Sequence, residues 1–380
     1  MATADTPAKL RLLKLAVRDF RGIEKLDLDF TDADGEPLDV IALAGGNGCG
    51  KTAVLEAVLL ALHQSDVLPS DAAPLREQIR FGALNFELEA RLRVIPAITA
   101  TPEQSRAPQD YKKILWSGFA MSNQNATYIT NEDGIDIKAL PPADTQNGHD
   151  LFSSSVEYFS ARREPEALGE LPDHRGAKSL AETKRIRELK LRLISARYRD
   201  LLAARQPGES GPFARIQRFW ERLSGDGRVL DVLPVDNDPG SGEEVVLREP
   251  KVIPEDITSL AMARRLAPTR PDIPRMVPLD RLSSGQLAIF AFAGPIVFRD
   301  QPADIVLIDE PEQHLHVQWQ RFLLDALREL SPSTLFIVAT HSEEILDSVL
   351  SYERFILVDD NDPRAPQHEG PNGAAEPAQV

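Results

Sequence analysis

Gly45-Gly46-Asn47-Gly48-Cys49-Gly50-Lys51-Thr52 lies between an apolar run, Val40 to Ala44, and a segment of helical character, Ala53 to His63. Its spacing, G-x-x-x-x-G-K-S/T, is that of a phosphate-binding loop. Such a loop works because glycines let successive backbone N–H groups converge on phosphate oxygens, while the helix that follows adds the positive end of its dipole. Gly45, Asn47, Gly48, Cys49 and Gly50 are then the candidate cradle. Lys51 reaches toward the β- and γ-phosphates, and the Thr52 hydroxyl is the candidate holder of Mg2+. A glycine-rich turn that met the spacing by chance would need neither the strand before it nor the helix after it.

The C-terminal part of the chain supplies matching pieces. Ile305 to Ile308 is a short apolar run that reads as a buried parallel strand, and it ends in Asp309-Glu310-Pro311-Glu312. Acids at the C-terminal edge of such a strand sit where doubly wound sheets bind ligands. Asp309 is placed to coordinate Mg2+ through water, and Glu310 to orient or deprotonate an attacking water. Thr334 to Ala339 forms a second buried strand, tipped by Thr340-His341-Ser342. His341 is there to contact the γ-phosphate or to position water. Upstream, Leu282-Ser283-Ser284-Gly285-Gln286 precedes an apolar helix, Leu287 to Val297. Ser283 is suited to cap it, and Gly285 lets a phosphate approach its start.

The chain has 380 residues, enough for one large α/β domain with an insertion or for two domains. A formal charge of −16 argues against a surface that is attractive to nucleic acid throughout, although it leaves room for a local basic groove. The single cysteine, Cys49, excludes a disulfide framework and a cysteine-based metal site, and a reducing cytoplasm fits. Neither a bilayer-spanning apolar run nor a signal-peptide core is evident, so no membrane is expected.

Between the motifs the reading is architectural. Leu10 to Phe30 alternates as two antiparallel strands around Asp19-Phe20-Arg21-Gly22-Ile23, which leaves Arg21 either solvated or facing bound phosphate. Phe86 to Val94 is a half-exposed strand, and Ile114 to Met121 and Ala126 to Ile129 extend an antiparallel sheet beside the nucleotide core. Ser155 to Ser160 returns to a core strand. Ser179 to Gln206 is a long helix with a basic face that either tracks a phosphate backbone or is solvated or paired with acidic neighbours. A helix over Phe213 to Leu223 and strands over Val229 to Val235 and Glu244 to Leu247 follow. Arg248 to Arg275 reads as an irregular excursion, Arg354 to Val358 as the last strand, and residues 360–380 as a disordered tail. The division expected is 1–165 and 276–359 for the two parts of a phosphate-binding domain, with 166–275 as a helical insertion lobe and 360–380 as the tail.

In this order the motifs resemble the Walker A, signature, Walker B and switch-histidine motifs of ABC-type ATPases. Asp19 to Ile23 is similar to the branch that holds SMC proteins, RecF and the OLD nucleases. Asp309-Glu-Pro-Glu-Gln-His-Leu-His316 with Ala339-Thr-His-Ser342 resembles the OLD-like AAA15/AAA21 ATPases. The resemblance covers roughly residues 10–95 and 276–358. It implies an α/β fold, an ABC-type P-loop NTPase with a mixed core sheet, a flanking antiparallel sheet and a helical insertion. It also implies ATP and Mg2+ as cofactors, and a homodimer in which Gly45 to Thr52 of one copy faces Ser283, Ser284, Gly285 and Gln286 of the other. Neither half-site is then expected to hydrolyse ATP alone.

The chain departs from that pattern in three places. Ser284 replaces a glycine, Val317 a proline, and Arg162 and Arg163 follow a strand after which relatives carry a glutamine. No stretch is long enough for an SMC-type coiled-coil arm, and the chain ends about twenty residues after Val358, where OLD nucleases continue into a Toprim domain. The resemblance therefore implies a stand-alone ATPase like those of anti-phage modules such as Septu and PARIS, paired with a separate nuclease or Toprim effector. A RecF-like DNA-binding ATPase is the first rival reading, with DNA as partner. A transporter nucleotide-binding subunit is the last, since the intervening region is long and rich in strands.

Overall fold

The computed structural model describes residues 9–62, 78–95, 109–119, 125–130, 156–161, 180–203, 211–238, 240–299, 301–313, 315–358 and 378–379. The chain divides into two compact units, one of residues 1–161, 301–313 and 333–380, the other of residues 162–300 and 314–332. The second thus holds all of the segment read above as an insertion lobe, 166–275, together with the signature stretch.

The first unit is built on two sheets with a helix between them. Strands β1 (Lys9–Phe20) and β2 (Ile23–Asp29) form a hairpin whose apolar residues alternate, so that one face is buried and the other wet. With β4 (Asn85–Ile95), β5 (Gln109–Phe119) and β6 (Asn125–Thr130) they make an antiparallel sheet in the order β2-β1-β4-β5-β6. The second sheet contains β3 (Val40–Ala44), β7 (Val156–Phe159), β11 (Ile305–Asp309), β12 (Leu335–Ala339), β13 (Arg354–Val358) and β14 (Ala378–Gln379), ordered β14-β13-β3-β12-β11-β7. Every residue of β3, β11 and β12 is buried, which is why these strands read as unbroken apolar runs.

Helix α1 (Lys51–Ala61) is buried almost all round because it packs on β1 and β4 of one sheet and on β11 and β12 of the other. The core sheet expected to be mixed is parallel at every described pairing. Its strands are reached by crossovers, whereas the hairpins are confined to the antiparallel sheet. The tail expected to be disordered lies outside the described residues except at β14, which pairs with β13.

The second unit is largely helical. α2 (Leu180–Leu202), α3 (Pro212–Ser224), α5 (Ser284–Val297) and α6 (Val317–Leu330) accompany a small antiparallel sheet of β8 (Val229–Pro234), β9 (Glu243–Arg248) and β10 (Met276–Pro278). Trp220 on α3 anchors the packing: fully buried, it stacks on Phe290 at 5.3 Å and meets Trp319 edge-on at 6.4 Å. Such pairs add about 1 kcal/mol each beyond the area they bury. The stretch Arg248 to Arg275, expected to be irregular, contains a further helix, α4 (Leu260–Leu266), started by the Ser259 side chain accepting from Met262 N. The basic face of α2 is in good part paired. Lys190 meets Glu244 at 2.7 Å and Asp280 at 3.3 Å, Arg192 meets Glu188 at 2.7 Å, and Arg197 lies 3.8 Å from Asp231.

Candidate ATP site

The C-terminal ends of β3, β12 and β11 lie side by side, and each delivers a motif to the same edge. After β3 the chain needs conformations that only glycine takes readily, with φ of +151° at Gly45, +82° at Gly48 and +92° at Gly50. A Cβ at Gly45 would collide with the Leu357 carbonyl oxygen and with Cys49 Sγ. Gly50 is the N-cap of α1 and caps it with no side chain, so the first-turn N–H groups are offered to a ligand. Asn47 and Gly48 are exposed at the rim, and Cys49 is buried beneath it. Lys51, only 6% exposed, folds over the loop, its Nζ donating to Gly45 O at 3.0 Å and Gly46 O at 2.9 Å.

Across the edge, Thr52 Oγ1 donates to Asp309 Oδ2 at 2.9 Å, and Asp309 is 3% exposed. One hydroxyl and one carboxylate are a sparse donor set for a metal. Among the described residues no group of three or more His, Cys, Asp or Glu could hold one. That fits Mg2+, which keeps waters and takes further oxygens from a substrate's phosphates, and it does not fit an all-protein metal cage. Next to Asp309 the backbone turns sharply: Glu310 has φ +47°, a conformation costing about 1 kcal/mol or more for a non-glycine residue. The turn is held by Glu310 N donating to Ala339 O at 2.8 Å, and the Gln313 side chain donates to the Glu310 carboxylate. Glu310 Oε1 lies 4.0 Å from His341 Nε2.

Glu312 belongs to this constellation although no role was assigned to it from the sequence. Its carboxylate accepts from Thr340 Oγ1 at 2.7 Å and from His341 N at 2.6 Å, so it fixes the tip of β12 that carries His341. Its place two residues past Glu310, in a run of acids, is the only signal the sequence offers. Arg21 is half-buried: its guanidinium pairs with Glu56 on α1, and its N–H donates to Gln78 O at 2.6 Å. Ser283, Ser284, Gly285 and Gln286 lie in the second unit. There Ser283 Oγ accepts from Gln286 N at 3.3 Å and Ser283 N donates to Gln286 Oε1 at 3.1 Å, a complete capping box at the start of α5 with Ser283 and Ser284 exposed.

A parallel core sheet, a glycine cradle running into α1, and Thr52, Asp309, Glu310 and His341 at one sheet edge are the fold and candidate site of a P-loop ATPase. Comparison with known proteins agrees. Residues 14–139 match the family described as "AAA domain", and residues 272–347 the family described as "AAA domain, putative AbiEii toxin, Type IV TA system". The chain is similar to the "Retron Ec83 probable ATPase" of Escherichia coli, 21% identical over 413 aligned residues that span 94% of this chain and 73% of the relative. It is also similar to the "Retron Vc95 probable ATPase" of Vibrio cholerae serotype O1 biovar El Tor, 33% identical over 87 residues, 20% of this chain and 17% of that one. Among solved structures, an SMC head bound to the C-terminal winged-helix domain of ScpA overlays with a TM-score of 0.49 at 16% identity, covering 89% of this chain and 92% of that one. The AAA-domain matches and the retron relatives bear out the ATPase read from the motifs. No helix among the described residues is long and apolar enough to cross a membrane.

Proposed function

We propose that this ATPase dimerises around two ATP molecules and, through that cycle, regulates a separate effector, a nuclease or Toprim protein, in a cytoplasmic anti-phage module. The observation that carries the dimer is the signature stretch itself. Ser283 to Gln286 opens α5 as an exposed, capping-box-held helix start, a form suited to grip the terminal phosphate of a nucleotide seated on another copy. The name of the E. coli relative, a retron ATPase, supports the anti-phage reading.

In this reading the N–H groups of Gly45, Asn47, Gly48, Cys49 and Gly50 cradle the β-phosphate and Lys51 swings from the loop carbonyls to the β- and γ-phosphates. Thr52 and Asp309 would hold Mg2+, which would supply positive charge against the phosphates. Glu310 takes the proton of the attacking water, and His341, 4.0 Å from it, orients that water against the γ-phosphate. Arg21, paired with Glu56, braces α1 against the antiparallel sheet. Closure on ATP and reopening on hydrolysis change which outer surface the effector meets.

The test uses two variants. Lys51→Ala is expected to lose binding of a fluorescent ATP analogue. Glu310→Gln is expected to keep it, to turn over at least about a hundredfold more slowly, and to run as an ATP-dependent dimer by light scattering, with the effector retained on it. Full turnover by Glu310→Gln would show that the base lies elsewhere. The RecF-like alternative predicts ATP-dependent duplex binding that falls steeply with salt; the pairing of Lys190, Arg192 and Arg197 with acids weighs against it.

A further inference from the structure

The proline-rich stretch that joins β9 to β10 builds a small core of its own. Ile257, Ala263 and Ile273 are buried together, with Met262, Leu266 and Met276 packed against them. Backbone hydrogen bonds pin the chain around it: Arg270 N donates to Leu266 O at 3.0 Å, Ile273 N to Arg270 O at 3.3 Å, and Glu249 N to Arg275 O at 3.1 Å. The Arg270 guanidinium is held by Asp272, at 2.6 Å, and by Asp256, so its charge is neutralised within the wall.

Against that wall lies an open cleft of about 670 Å3. Leu260, Ile273 and Met276 give it an apolar lining, and Arg264 and Arg275 a cationic one. Three further lining residues are prolines, whose fixed φ lowers the ordering cost of binding. Both arginines are available to a ligand. Arg264 is exposed and has no ion-pair or hydrogen-bond partner among the described residues. Arg275, with its side chain 91% exposed, comes no nearer than 4.0 Å to Glu249, and Lys251 already engages that carboxylate at 2.9 Å. In a chain of charge −16, two such guanidinium groups beside apolar surface are a local exception. At physiological salt, charges more than about 8 Å away are screened, so a short ligand in the cleft feels the arginines rather than the whole chain. A nucleic acid strand would run on over a surface whose net charge repels it. Among the described residues that line the cleft none is aromatic, so bases find no stacking platform.

We propose that this cleft binds an acidic segment of a partner protein, whose aspartate or glutamate side chains pair with Arg264 and Arg275 while an apolar side chain packs on Leu260, Ile273 and Met276. Guanidinium suits the role: its fork matches a carboxylate, and its weak hydration makes it easier to desolvate than an ammonium. The apolar lining adds what charge alone lacks, a contact that salt does not screen. No residue of the candidate ATP site takes part, and binding is expected with or without nucleotide.

The experiment follows fluorescence anisotropy of labelled probes on the full chain: a short peptide of alternating glutamate and leucine, the same peptide with lysine for glutamate, the same with serine for leucine, and oligo-dT. The glutamate–leucine peptide is expected to bind and the lysine peptide not to. Arg264→Ala and Arg275→Ala should each weaken that binding about tenfold, and serine for leucine should weaken it by a similar factor, about tenfold. Arg265→Ala, exposed on the same helix but outside the cleft, should bind as wild type does, and all three variants should melt like wild type. Equal binding of the glutamate and lysine peptides overturns the proposal, as does an equal loss from Arg265→Ala, which would mean attraction to the surface charge at large. Tighter binding of oligo-dT than of the peptide, lost in Arg264→Ala, would overturn it in favour of a nucleic acid site.

Discussion

Glu310 and Glu312 stand two residues apart and do different work because the backbone turns between them. The positive φ at Glu310 swings its carboxylate toward His341, while Glu312 reaches the tip of β12 and accepts from Thr340 Oγ1 and His341 N. Hydrogen bonds to a charged group contribute about 1.5–3 kcal/mol each. Losing both leaves two donors at the end of β12 without their carboxylate and lets His341 drift. A displacement of about an ångström in a catalytic constellation costs up to about a hundredfold in rate. Glu312→Ala is therefore expected to lower kcat by roughly ten- to a hundredfold with the KM for ATP changed far less, and to lower the melting temperature. Steady-state ATPase assays beside thermal melts check this, and an unchanged kcat would remove Glu312 from the machinery.

At the scale of elements, the start of α5 serves stability and function with the same atoms, and the two can be separated. Ser283→Ala removes the cap that accepts from Gln286 N and should cost about 1 kcal/mol, a fall of about 2 °C in melting temperature. Ser283→Asp restores a good cap but sets a negative charge where the proposed function places the partner's γ-phosphate. Its melting temperature should match wild type while its ATPase activity is lost; retained activity would place the signature away from the nucleotide. The cap was legible beforehand because Ser283 and Gln286 have capping-box spacing ahead of an apolar run. The strands β3, β11 and β12 were legible for a related reason: a strand buried on both faces writes itself as consecutive apolar residues. Helix α4 was not, since its seven residues, closely flanked by proline-rich sequence, are too few for a helical period to emerge. The parallel pairing throughout the core sheet, the Arg21–Glu56 pair and the reach of Glu312 to β12 were also hidden, because each joins residues far apart in the chain.

For the whole molecule, the question is whether one copy suffices. The first unit carries the loop, the Thr52–Asp309 pair and the candidate base, and the second carries the signature, so in the proposed dimer each chain would supply both halves of a composite site. If two copies are related by a twofold axis, each nucleotide meets the loop of one and the signature of the other. Two chains of charge −16, with their triphosphates, also repel one another at long range. On the proposed function, closure would then come from short-range contacts with bound ATP, and the dimer is expected to be nucleotide-dependent. Mixing Lys51→Ala with Ser283→Asp separates the possibilities. A mixed dimer has one site in which both halves are damaged and one in which both are intact. Random assortment of equal amounts should therefore recover up to about a quarter of wild-type activity from two inactive proteins. The specific rate of the wild type should also fall on dilution below the dimer's dissociation constant. Failure to recover any activity, together with a wild-type rate per chain that is constant down to nanomolar concentration, would mean that each chain completes its site alone.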